Sequence, residues 1–366
     1  MESLIVQREH EGLEFSYEII WERGFDGLSG ALDRLRLPYR KICIVSDHNV
    51  AELYLKDVER ALSSTGCPVS TFVFPAGEEH KNLSTVQELY RYLIENRFER
   101  KDLLVALGGG VVGDLTGFAA ATYLRGIAFI QVPTTLLAQV DSSVGGKTGV
   151  DFDKYKNMVG AFYQPRLVYM NSETLKTLPC DQFASGMGEV LKTGLIRNRD
   201  FYGWIIEQQA QIELRNPETM DHLIRECCRV KAAVVEEDPK EQGVRAILNL
   251  GHTLGHAIEK LMNFQMLHGQ CVAVGTVGAA YLSYRRGYLT EEEYLQIVRT
   301  NLAFRLPVSV RGLKQEDILG ATKSDKKMEE GKIKFVLLKN IGEAVLDRSV
   351  TDQELLDTIA ILNEEA

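Results

Sequence analysis

The first half of the chain alternates short apolar runs with stretches of helical periodicity, and this alternation restricts the possible folds more than any other feature. Five apolar runs are typical of strands, and they occupy residues 41–47, 69–74, 103–109, 128–133 and 167–171. Strands that are apolar throughout and separated by helices indicate a parallel sheet covered on both faces. The residues before position 25 alternate like an antiparallel hairpin at the edge of that sheet.

The sequence pattern changes from alternating strands and helices to mostly helices after Pro179. Helical periodicities then follow one another over residues 181–193, 197–213, 217–236, 248–263, 270–286 and 290–303. One β-hairpin is predicted at 332–346. A chain of 366 residues suits two domains. We therefore predict an α/β fold, with a Rossmann-like parallel-sheet domain at 1–178 and a mostly helical domain at 179–366.

Composition excludes several classes of function. The net charge of −9 argues against general binding to nucleic acid or to anionic membranes. The six cysteines form no CxxC pair, a pattern that fits reduced thiols in the cytosol. No apolar run is long enough to span a bilayer, and the first residues lack the pattern of a signal peptide. These features lead us to expect a cytoplasmic protein without membrane segments.

A glycine-rich turn follows the third strand. Gly108, Gly110 and Gly113 have GxGxxG spacing between a strand and a helix, where backbone N–H groups can bind a pyrophosphate. No acidic residue follows about 20 positions later, as the usual dinucleotide fingerprint requires. A tight turn that packs the helix on the strand is therefore an equally good interpretation. Asp114, just inside the helix, is stabilised by the helix dipole under either interpretation.

Polar residues also follow the first two strands of the alternating region. Ligands of open α/β sheets bind at the carboxyl ends of the strands, so these residues could hold the adenosine end of a dinucleotide. They are Asp47, Asn49, Glu78 and Lys81. Each could instead be a helix cap or an ordinary loop residue.

Three histidines lie close together in the helical half. His252 and His256 are four residues apart and share one face of a predicted helix, and His268 follows after a short break. Histidines at this spacing can bind a metal, as in an HExxH helix. From these residues alone, three buried histidines without a metal are equally compatible with the sequence.

Five motifs resemble those of 3-dehydroquinate synthase, in the order of that family. They are "GGGVVGDLTGFAAATYLRG", "VPTTLLAQVDSSVGGKTGVDFDKYKNMVGAFYQP", "GMGEVLKTG", "GVRAILNLGHTLGHAIE" and "LHGQ". The resemblance implies a homodimeric enzyme that uses NAD and a divalent metal, zinc or cobalt. It would convert 3-deoxy-D-arabino-heptulosonate 7-phosphate into 3-dehydroquinate and phosphate. The implied steps are oxidation of the C5 hydroxyl by NAD, loss of phosphate, return of the hydride, ring opening and an intramolecular aldol reaction.

The resemblance also assigns roles to residues of this chain. The implied metal ligands are Glu189, His252 and His268. Catalytic roles fall to His256, Lys147, Asn249 and Glu241. The predicted cofactor-binding residues are Asp47, Asn49, Glu78, Lys81, Gly109, Gly110, Val111, Val112, Gly113, Asp114, Thr134, Thr135, Lys147, Lys156, Thr174 and Thr177. The predicted substrate-binding residues are Arg125, Asp141, Lys147, Lys156, Asn157, Lys192, Lys231, Arg245, Asn249, His256 and Lys327. Cations among them suit a substrate with a carboxylate and a phosphate, since they form charge-assisted hydrogen bonds.

One position departs from the family pattern, which usually has Glu two residues after the second histidine ligand. This chain has Gln270 there. A carboxylate near a ligating histidine raises the basicity of that ligand, whereas an amide can only hydrogen-bond, so we expect weaker metal binding.

Three alternatives remain at this stage. The first is another sugar-phosphate cyclase that makes an inosose or a valiolone. The retained Arg245, Asn249 and His256 favour the dehydroquinate branch. The second is a metal-dependent polyol dehydrogenase of the same architecture, which would release NADH and need no phosphate-binding lysines. The third is a catalytically inactive binding protein, which the intact ligand set and the cationic cluster disfavour.

Overall fold

The computed structural model describes residues 2–8, 15–153, 155–241, 243–263, 265–323, 328–329 and 332–364. The chain divides into two compact units. The first comprises Met1–Leu178 together with Lys231–Glu236, and the second comprises Pro179–Val230 together with Glu237–Ala366. The segment Lys231–Glu236 therefore belongs to the first unit, whereas the sequence prediction places it in the helical half.

The first unit contains a seven-stranded sheet. Its strands are β1 (Glu2–Arg8), β2 (Phe15–Glu22), β3 (Ile42–Asp47), β4 (Val69–Phe74), β5 (Leu103–Gly108), β6 (Ala128–Pro133) and β9 (Leu167–Asn171). The strand order is β1-β2-β9-β6-β5-β3-β4. β1 and β2 pair antiparallel at the edge, and every other pairing in the sheet is parallel. The predicted parallel sheet with an antiparallel edge hairpin is confirmed.

Helices connect these strands. They are α1 (Leu28–Arg34), α2 (His48–Val50), α3 (Lys56–Ser63), α4 (Leu83–Glu95) and α5 (Gly110–Thr122). A π-helix at Ala51–Leu55 joins α2 to α3, and a second one covers Ala138–Ser142. Single 3₁₀ turns lie at Glu78–His80, Tyr123–Arg125 and Ser172–Lys176. An antiparallel hairpin of β7 (Lys147–Phe152) and β8 (Tyr155–Phe162) lies outside the main sheet and was not predicted.

Alternate residues of the central strands face opposite cores. On β3, Ile42 and Ile44 pack into one hydrophobic cluster, while Cys43 and Val45 pack into another. All six residues of β5 are buried. Neither face of the central strands is exposed to water. Their sequences are therefore continuous apolar runs without polar alternation.

The second unit is mostly helical. Its helices are α6 (Cys180–Arg197), α7 (Arg199–Glu207), α8 (Gln209–Glu213), α9 (Pro217–Glu237), α10 (His252–Leu261), α11 (His268–Arg285), α12 (Glu291–Ala303), α13 (Gln315–Lys323) and α14 (Asp352–Leu362), with α9 continuing into the segment assigned to the first unit. A 3₁₀ helix at Val244–Asn249 precedes α10. The predicted hairpin is present as β13 (Phe335–Asn340) and β14 (Glu343–Asp347).

Short strands complete the second unit. They are β10 (Val310–Arg311), β11 (Met328–Glu329), β12 (Lys332–Ile333) and β15 (Asn363–Glu364). The sequence prediction missed α13 and α14. Within the described part of the chain, no helix is both long and apolar enough to cross a membrane.

Candidate functional site

The glycine-rich turn places the amino end of α5 at the carboxyl end of β5. Gly109 is the residue before the helix, and Gly110 is its first residue. A Cβ on Gly109 would lie 3.0 Å from Cγ2 of Thr135, and one on Gly110 would lie 3.2 Å from Oγ of Ser142. A side chain at either position would have to displace its neighbour by a few tenths of an ångström, and the N–H groups at the start of α5 can bind a phosphate.

Thr134 supports a polar ligand beside this turn. Its side chain is buried, and its Oγ1 has no hydrogen-bond partner among the described residues. A buried hydroxyl without a partner costs free energy, so a ligand that hydrogen-bonds it is favoured. The donor set at this strand edge thus fits a dinucleotide. Val111 and Val112 follow in the first turn of α5, where Val112 belongs to the core.

A buried ion pair holds the next turn of α5 in place. Nζ of Lys81 donates to Oδ2 of Asp114 at 2.6 Å and to Oδ1 of Asn157 at 2.7 Å. Asn157 in turn donates its backbone N–H to Asp151 at 2.8 Å. Asp114 lies beyond the first turn of α5, so the expected stabilisation by the helix dipole is replaced by this ion pair.

Burial and charge act in opposite directions on Lys81. Burial lowers the pKa of its ammonium group, but Asp114, Glu78 and Asp151 raise it above its ordinary value. Burial raises the pKa of the Asp114 carboxyl, and the positive charge of Lys81 offsets only part of that effect. A second ion pair lies on the same part of the unit. It joins Nζ of Lys156 to Oε1 of Glu78 at 3.2 Å.

The other predicted cofactor residues are tied into the fold. Asp47 caps α2 by accepting the N–H of Val50 at 3.0 Å, and Asn49 is exposed on α2. Thr174 is buried, and its hydroxyl donates to the carbonyl of Asn171 at 2.8 Å. The hydroxyl of Thr177 hydrogen-bonds Tyr54. For Asp47 the helix-cap interpretation is therefore the one that the structure displays.

Asp141 and Lys231 are brought together although they are far apart in sequence. Nζ of Lys231 donates to Oδ1 of Asp141 at 2.6 Å and also to the backbone carbonyl of that residue. Asp141 lies in the π-helix Ala138–Ser142, a local distortion that is frequent at functional sites. Lys147 is exposed at the start of β7.

Two predicted residues do not belong to these clusters. One lies elsewhere in the first unit, and the other lies outside the described residues. Arg125 is exposed and follows the carboxyl end of α5, whereas Asp114 lies near the amino end. The chain therefore does not bring Arg125 to the Lys81 cluster. Lys327 lies outside the residues that the structure describes.

In the second unit, close helix packing assembles the histidines. A Cβ on Gly269 of α11 would lie 1.8 Å from the carbonyl oxygen of Ser185 on α6, and one on Gly275 would lie 1.9 Å from the carbonyl oxygen of Gly251. Only glycine allows these approaches. These glycines thus bring α6, α10 and α11 close enough for their polar side chains to meet.

The imidazoles of His252 and His268 converge on one carboxylate. Nε2 of His252 lies 3.6 Å from Oε1 of Glu189, and Nε2 of His268 lies 3.5 Å from the same oxygen. Two ligands of a tetrahedral zinc ion, each about 2.0–2.1 Å from the metal, lie about 3.4 Å apart. The three side chains therefore have the spacing and chemistry that a divalent metal requires.

His256 is part of the same group of imidazoles. Its ring centre lies 5.2 Å from that of His252 and 5.7 Å from that of His268. Ligand atoms of the three histidines all lie within 4.8 Å of one another. His252 and His268 each approach Glu189, and these are the two histidines that the sequence resemblance implies as metal ligands.

Charged neighbours surround this cluster. Glu189 is buried and forms an ion pair with Lys192, one helical turn later on α6. Burial lowers the pKa of His268, but hydrogen bonds to Glu189 and Glu259 outweigh that effect and raise it to about 9. Lys192 and His268 thus lie against the buried Glu189 carboxylate, whose charge also suits a divalent cation.

The 3₁₀ helix before α10 presents further predicted residues. Arg245 is 1% exposed, and its Nη1 donates to the carbonyl of Pro239 at 2.6 Å. Nδ2 of Asn249 donates to Oε1 of Glu241 at 2.6 Å. Arg245 and Asn249 lie on the same short helix, and a buried guanidinium and an amide–carboxylate pair can each bind groups of an anionic, hydroxylated substrate.

Glu259 was not singled out from the sequence. Its Oε2 lies 3.4 Å from Nδ1 of His268, and its side chain is buried. The signal was available, because Glu259 follows His256 by three residues and His252 by seven, which places all three on one face of α10.

Comparison with known families covers most of the chain. The model of the 3-dehydroquinate synthase N-terminal domain matches residues 71–185, and that of the C-terminal domain matches residues 186–328. A 3-dehydroquinate synthase of Acetivibrio thermocellus is 46% identical over 326 residues, which are 88% of this chain and 90% of that protein. One from Syntrophotalea carbinolica is 45% identical over 96% of both chains.

Solved structures of related enzymes have the same fold. A 2-epi-5-epi-valiolone synthase from Streptomyces hygroscopicus, with NAD⁺ and Zn²⁺ bound, superposes with a TM-score of 0.89 at 25% identity, covering 97% of this chain and 99% of its own. A 2-deoxy-scyllo-inosose synthase with carbaglucose-6-phosphate, NAD⁺ and Co²⁺ gives 0.83 at 25% identity, covering 98% and 99%. Glycerol dehydrogenase from Schizosaccharomyces pombe shares the fold at 14% identity, with a TM-score of 0.69 over 97% and 91%. From these matches and the motifs described above, the chain belongs to the 3-dehydroquinate synthase family.

Proposed function

We propose that this protein converts 3-deoxy-D-arabino-heptulosonate 7-phosphate into 3-dehydroquinate and inorganic phosphate, with NAD on the first unit and a divalent metal on the second. The observation that carries the proposal is the convergence of His252 Nε2 and His268 Nε2 on Oε1 of Glu189. Two imidazoles and one carboxylate leave coordination positions open, as catalytic and not structural metal sites do.

The metal, zinc or cobalt, would be held by Glu189, His252 and His268. Bound there, it supplies a Lewis acid that polarises a substrate hydroxyl. Lys192, paired with Glu189 in the buried interior of α6, adds positive charge next to that position. His256 is the histidine of the group that the resemblance does not assign to the metal, and we assign it to hydrogen bonding and proton transfer at the phosphate-bearing end of the substrate.

NAD would lie at the carboxyl edge of the sheet. The amino end of α5 at Gly109 and Gly110 fits its pyrophosphate, and the hydroxyl of Thr134 fits a further polar contact. Bound there, NAD supplies a hydride acceptor that becomes the donor later in the same cycle. Lys81 fixes Asp114 and Asn157 around this position.

Substrate anions require cations and polar donors. We assign Arg245 to the carboxylate because its guanidinium is buried and oriented through the carbonyl of Pro239. The pair of Asn249 and Glu241 would hold a substrate hydroxyl and its proton. Asp141 with Lys231, and Lys147 with Lys156 and Asn157, supply further contacts to hydroxyl and phosphate oxygens.

Arg125 needs a separate account, since it lies at the opposite end of α5 from Asp114. We propose that the protein is a cytoplasmic homodimer and that any contact between Arg125 and substrate is made by the second copy. Sedimentation velocity tests the dimer. Loss of activity in Arg125→Ala, without loss of metal or NAD binding, tests the contact.

The deciding experiment measures products from the heptulosonate phosphate with purified protein, NAD and Zn²⁺ or Co²⁺. Phosphate and the 3-dehydroquinate chromophore should appear one for one, and NADH should not accumulate, because NAD is regenerated in every cycle. Accumulation of NADH with a simple polyol would instead identify a dehydrogenase. Phosphate release only from a sugar phosphate that lacks the carboxylate would identify a different cyclase.

A further inference from the structure

We infer that Glu259 is a positioning residue that orients His268 for metal binding. In this role it replaces the carboxylate that the family usually has at position 270. The inference rests on the metal site of the proposed function. It extends that site to a residue on α10 that is assigned no role above. Nδ1 of His268 lies 3.4 Å from Oε2 of Glu259.

The two nitrogens of the His268 ring face two different carboxylates. Nδ1 faces Glu259, and Nε2 lies 3.5 Å from Oε1 of Glu189. A neutral imidazole carries a proton on one nitrogen and a lone pair on the other. A carboxylate that accepts from Nδ1–H therefore leaves the lone pair on Nε2, pointing towards Glu189, where a metal ligand needs it.

His252 is anchored in the same way by a different group. Its Nδ1 lies 3.1 Å from the carbonyl oxygen of Leu250, and its Nε2 lies 3.6 Å from Oε1 of Glu189. Both imidazoles thus have Nδ1 held by an oxygen acceptor and Nε2 directed at one oxygen of Glu189. The acceptor is a backbone carbonyl for His252 and a buried carboxylate for His268.

Burial makes Glu259 costly unless it has a function or strong partners. Its side chain is 3% exposed. Removing a carboxylate from water carries a large desolvation cost, which hydrogen bonds to charged or polar partners must offset. The imidazole of His268 is one such partner, and the negative charge can have a role at that ring. Raising the basicity of a metal-bound imidazole is one that the geometry supports.

The side chain of Gln270 has a different role, at the start of α11. Its Oε1 accepts the backbone N–H of Leu267, the residue before α11, at 3.1 Å and so caps the start of that helix. A glutamate would accept the same hydrogen bond. The substitution at position 270 therefore changes a helix cap, and the weaker metal binding expected from the sequence does not follow from it.

The test compares Zn²⁺ affinity of the full-length apo-protein by competition with a chromophoric chelator. Glu259→Gln should weaken Zn²⁺ binding about 10- to 100-fold, as loss of a partner that orients a metal ligand does elsewhere. It should also shift the visible absorption bands of the Co²⁺-substituted protein. Gln270→Glu is the matched control, and its Zn²⁺ affinity should equal that of the parent protein.

A double-mutant cycle tests whether Glu259 acts through His268. In a His268→Ala background, where the residual Zn²⁺ affinity is measured at raised Zn²⁺ concentration, Glu259→Gln should cause no further loss of affinity, because the imidazole that it orients is gone. An equal loss in both backgrounds would overturn the inference. So would unchanged affinity in the Glu259→Gln single variant.

Two further measurements distinguish failure of this inference from misfolding of a variant and from failure of the proposed function. Thermal unfolding of each apo-variant identifies misfolding. If Glu259→Gln does not fold, Glu259→Asp replaces it; the shorter side chain should still lower Zn²⁺ affinity, and equal affinity would count against the inference. If the parent protein itself binds no Zn²⁺ in a single site, the metal part of the proposed function is wrong, whatever the variants do.

Discussion

The ammonium group of Lys81 lies 2.6 Å from Oδ2 of Asp114, in a place where the lysine side chain is only 4% exposed. This ion pair joins the loop after β4 to the second turn of α5. Its burial means that each charge depends on the other, since neither can be fully hydrated.

The first prediction concerns this pair. Lys81→Met should lower the free energy of unfolding by about 3–5 kcal/mol, because it leaves Asp114 buried without its main cation. It should also weaken NAD binding, since Asp114 and Asn157 lose their common partner. Urea denaturation and a binding titration measure the two effects. In the double variant Lys81→Met/Asp114→Asn, the losses should be smaller than the sum of the single losses; strict additivity would show that the pair is not coupled.

The second prediction separates metal ligands from the remaining histidine. Glu189→Gln, His252→Ala and His268→Ala should each lose bound Zn²⁺, because each removes one of the three groups that converge within 3.6 Å. His256→Ala should retain the metal and lose turnover. Elemental analysis of the purified proteins, combined with rates of phosphate release, gives both readings. Equal metal content in all four variants would rule out this division of roles.

The third prediction tests Arg245. Replacing it by Ala should reduce kcat/KM for the heptulosonate phosphate about 30- to 1,000-fold, equivalent to about 2–4 kcal/mol, since a charge-assisted contact to a substrate anion is lost. Arg245→Lys should recover only part, because an ammonium group lacks the planar fork of donors. Zn²⁺ content and NAD affinity should stay unchanged in both. Full activity of the Ala variant at low substrate concentration would contradict the assignment.

The fourth prediction concerns helix packing beneath the metal site. Gly269→Ala would place a Cβ 1.8 Å from the carbonyl oxygen of Ser185, so α6 and α11 must move apart. We expect a loss of about 1–3 kcal/mol of stability, or more, together with weaker Zn²⁺ binding. Gly203→Ala, in the middle of α7, meets nothing within 4 Å and should instead stabilise by about 0.5–1 kcal/mol. Thermal denaturation of the two variants compares them directly, and similar behaviour would contradict the packing argument.

The sheet could be predicted because its residues are buried on both faces, and continuous apolar runs identify such strands. β4, β6 and β9 begin and end where the sequence places them, at 69–74, 128–133 and 167–171. The β7–β8 hairpin could not be found in this way. Its outer strand is largely exposed and carries Tyr155, Met158 and Phe162 at the surface, so hydrophobicity marks no inner face.

Side-chain partners were harder to predict than elements. The i, i+4 spacing of His252 and His256 gives both the same helix face but cannot distinguish a ligand from its neighbour. The distinction depends on Glu189 of α6, which reaches the site only through the glycine contacts of α6 with α11. Glu259 and the capping role of Gln270 depend equally on three-dimensional distances, 3.4 Å and 3.1 Å, that no sequence spacing fixes.

A charged network near the carboxyl end of the chain contains two carboxyls with lowered pKa values, Asp347 and Glu354. Arg286 donates to both oxygens of Glu354 at 2.8 Å and to Asp347 at 2.9 Å. Hydrogen bonds from Arg286 lower the pKa of Glu354 to about 2, although burial opposes them. Burial raises the pKa of Asp347, but hydrogen bonds from Ser349 and the charge of Arg286 outweigh it, so the net shift is downward.

The last prediction follows from the sign of these shifts. A carboxyl whose pKa is lower in the folded state binds protons more tightly when unfolded, so its stabilisation is complete above the unfolded pKa of about 4.5 and disappears as the pH falls towards 2. Arg286→Met should therefore cost about 1–3 kcal/mol at pH 7, and the gap to the parent protein should narrow steadily between pH 5 and the lowest pH at which the fold persists. Lys323→Met is the control, because the pair of Lys323 and Asp352 is 43% and 60% exposed and should contribute less than about 0.5 kcal/mol. Urea denaturation of the three proteins over this pH range provides the measurement. A gap that stays constant or widens on acidification would show that the Arg286 network does not produce the acid sensitivity.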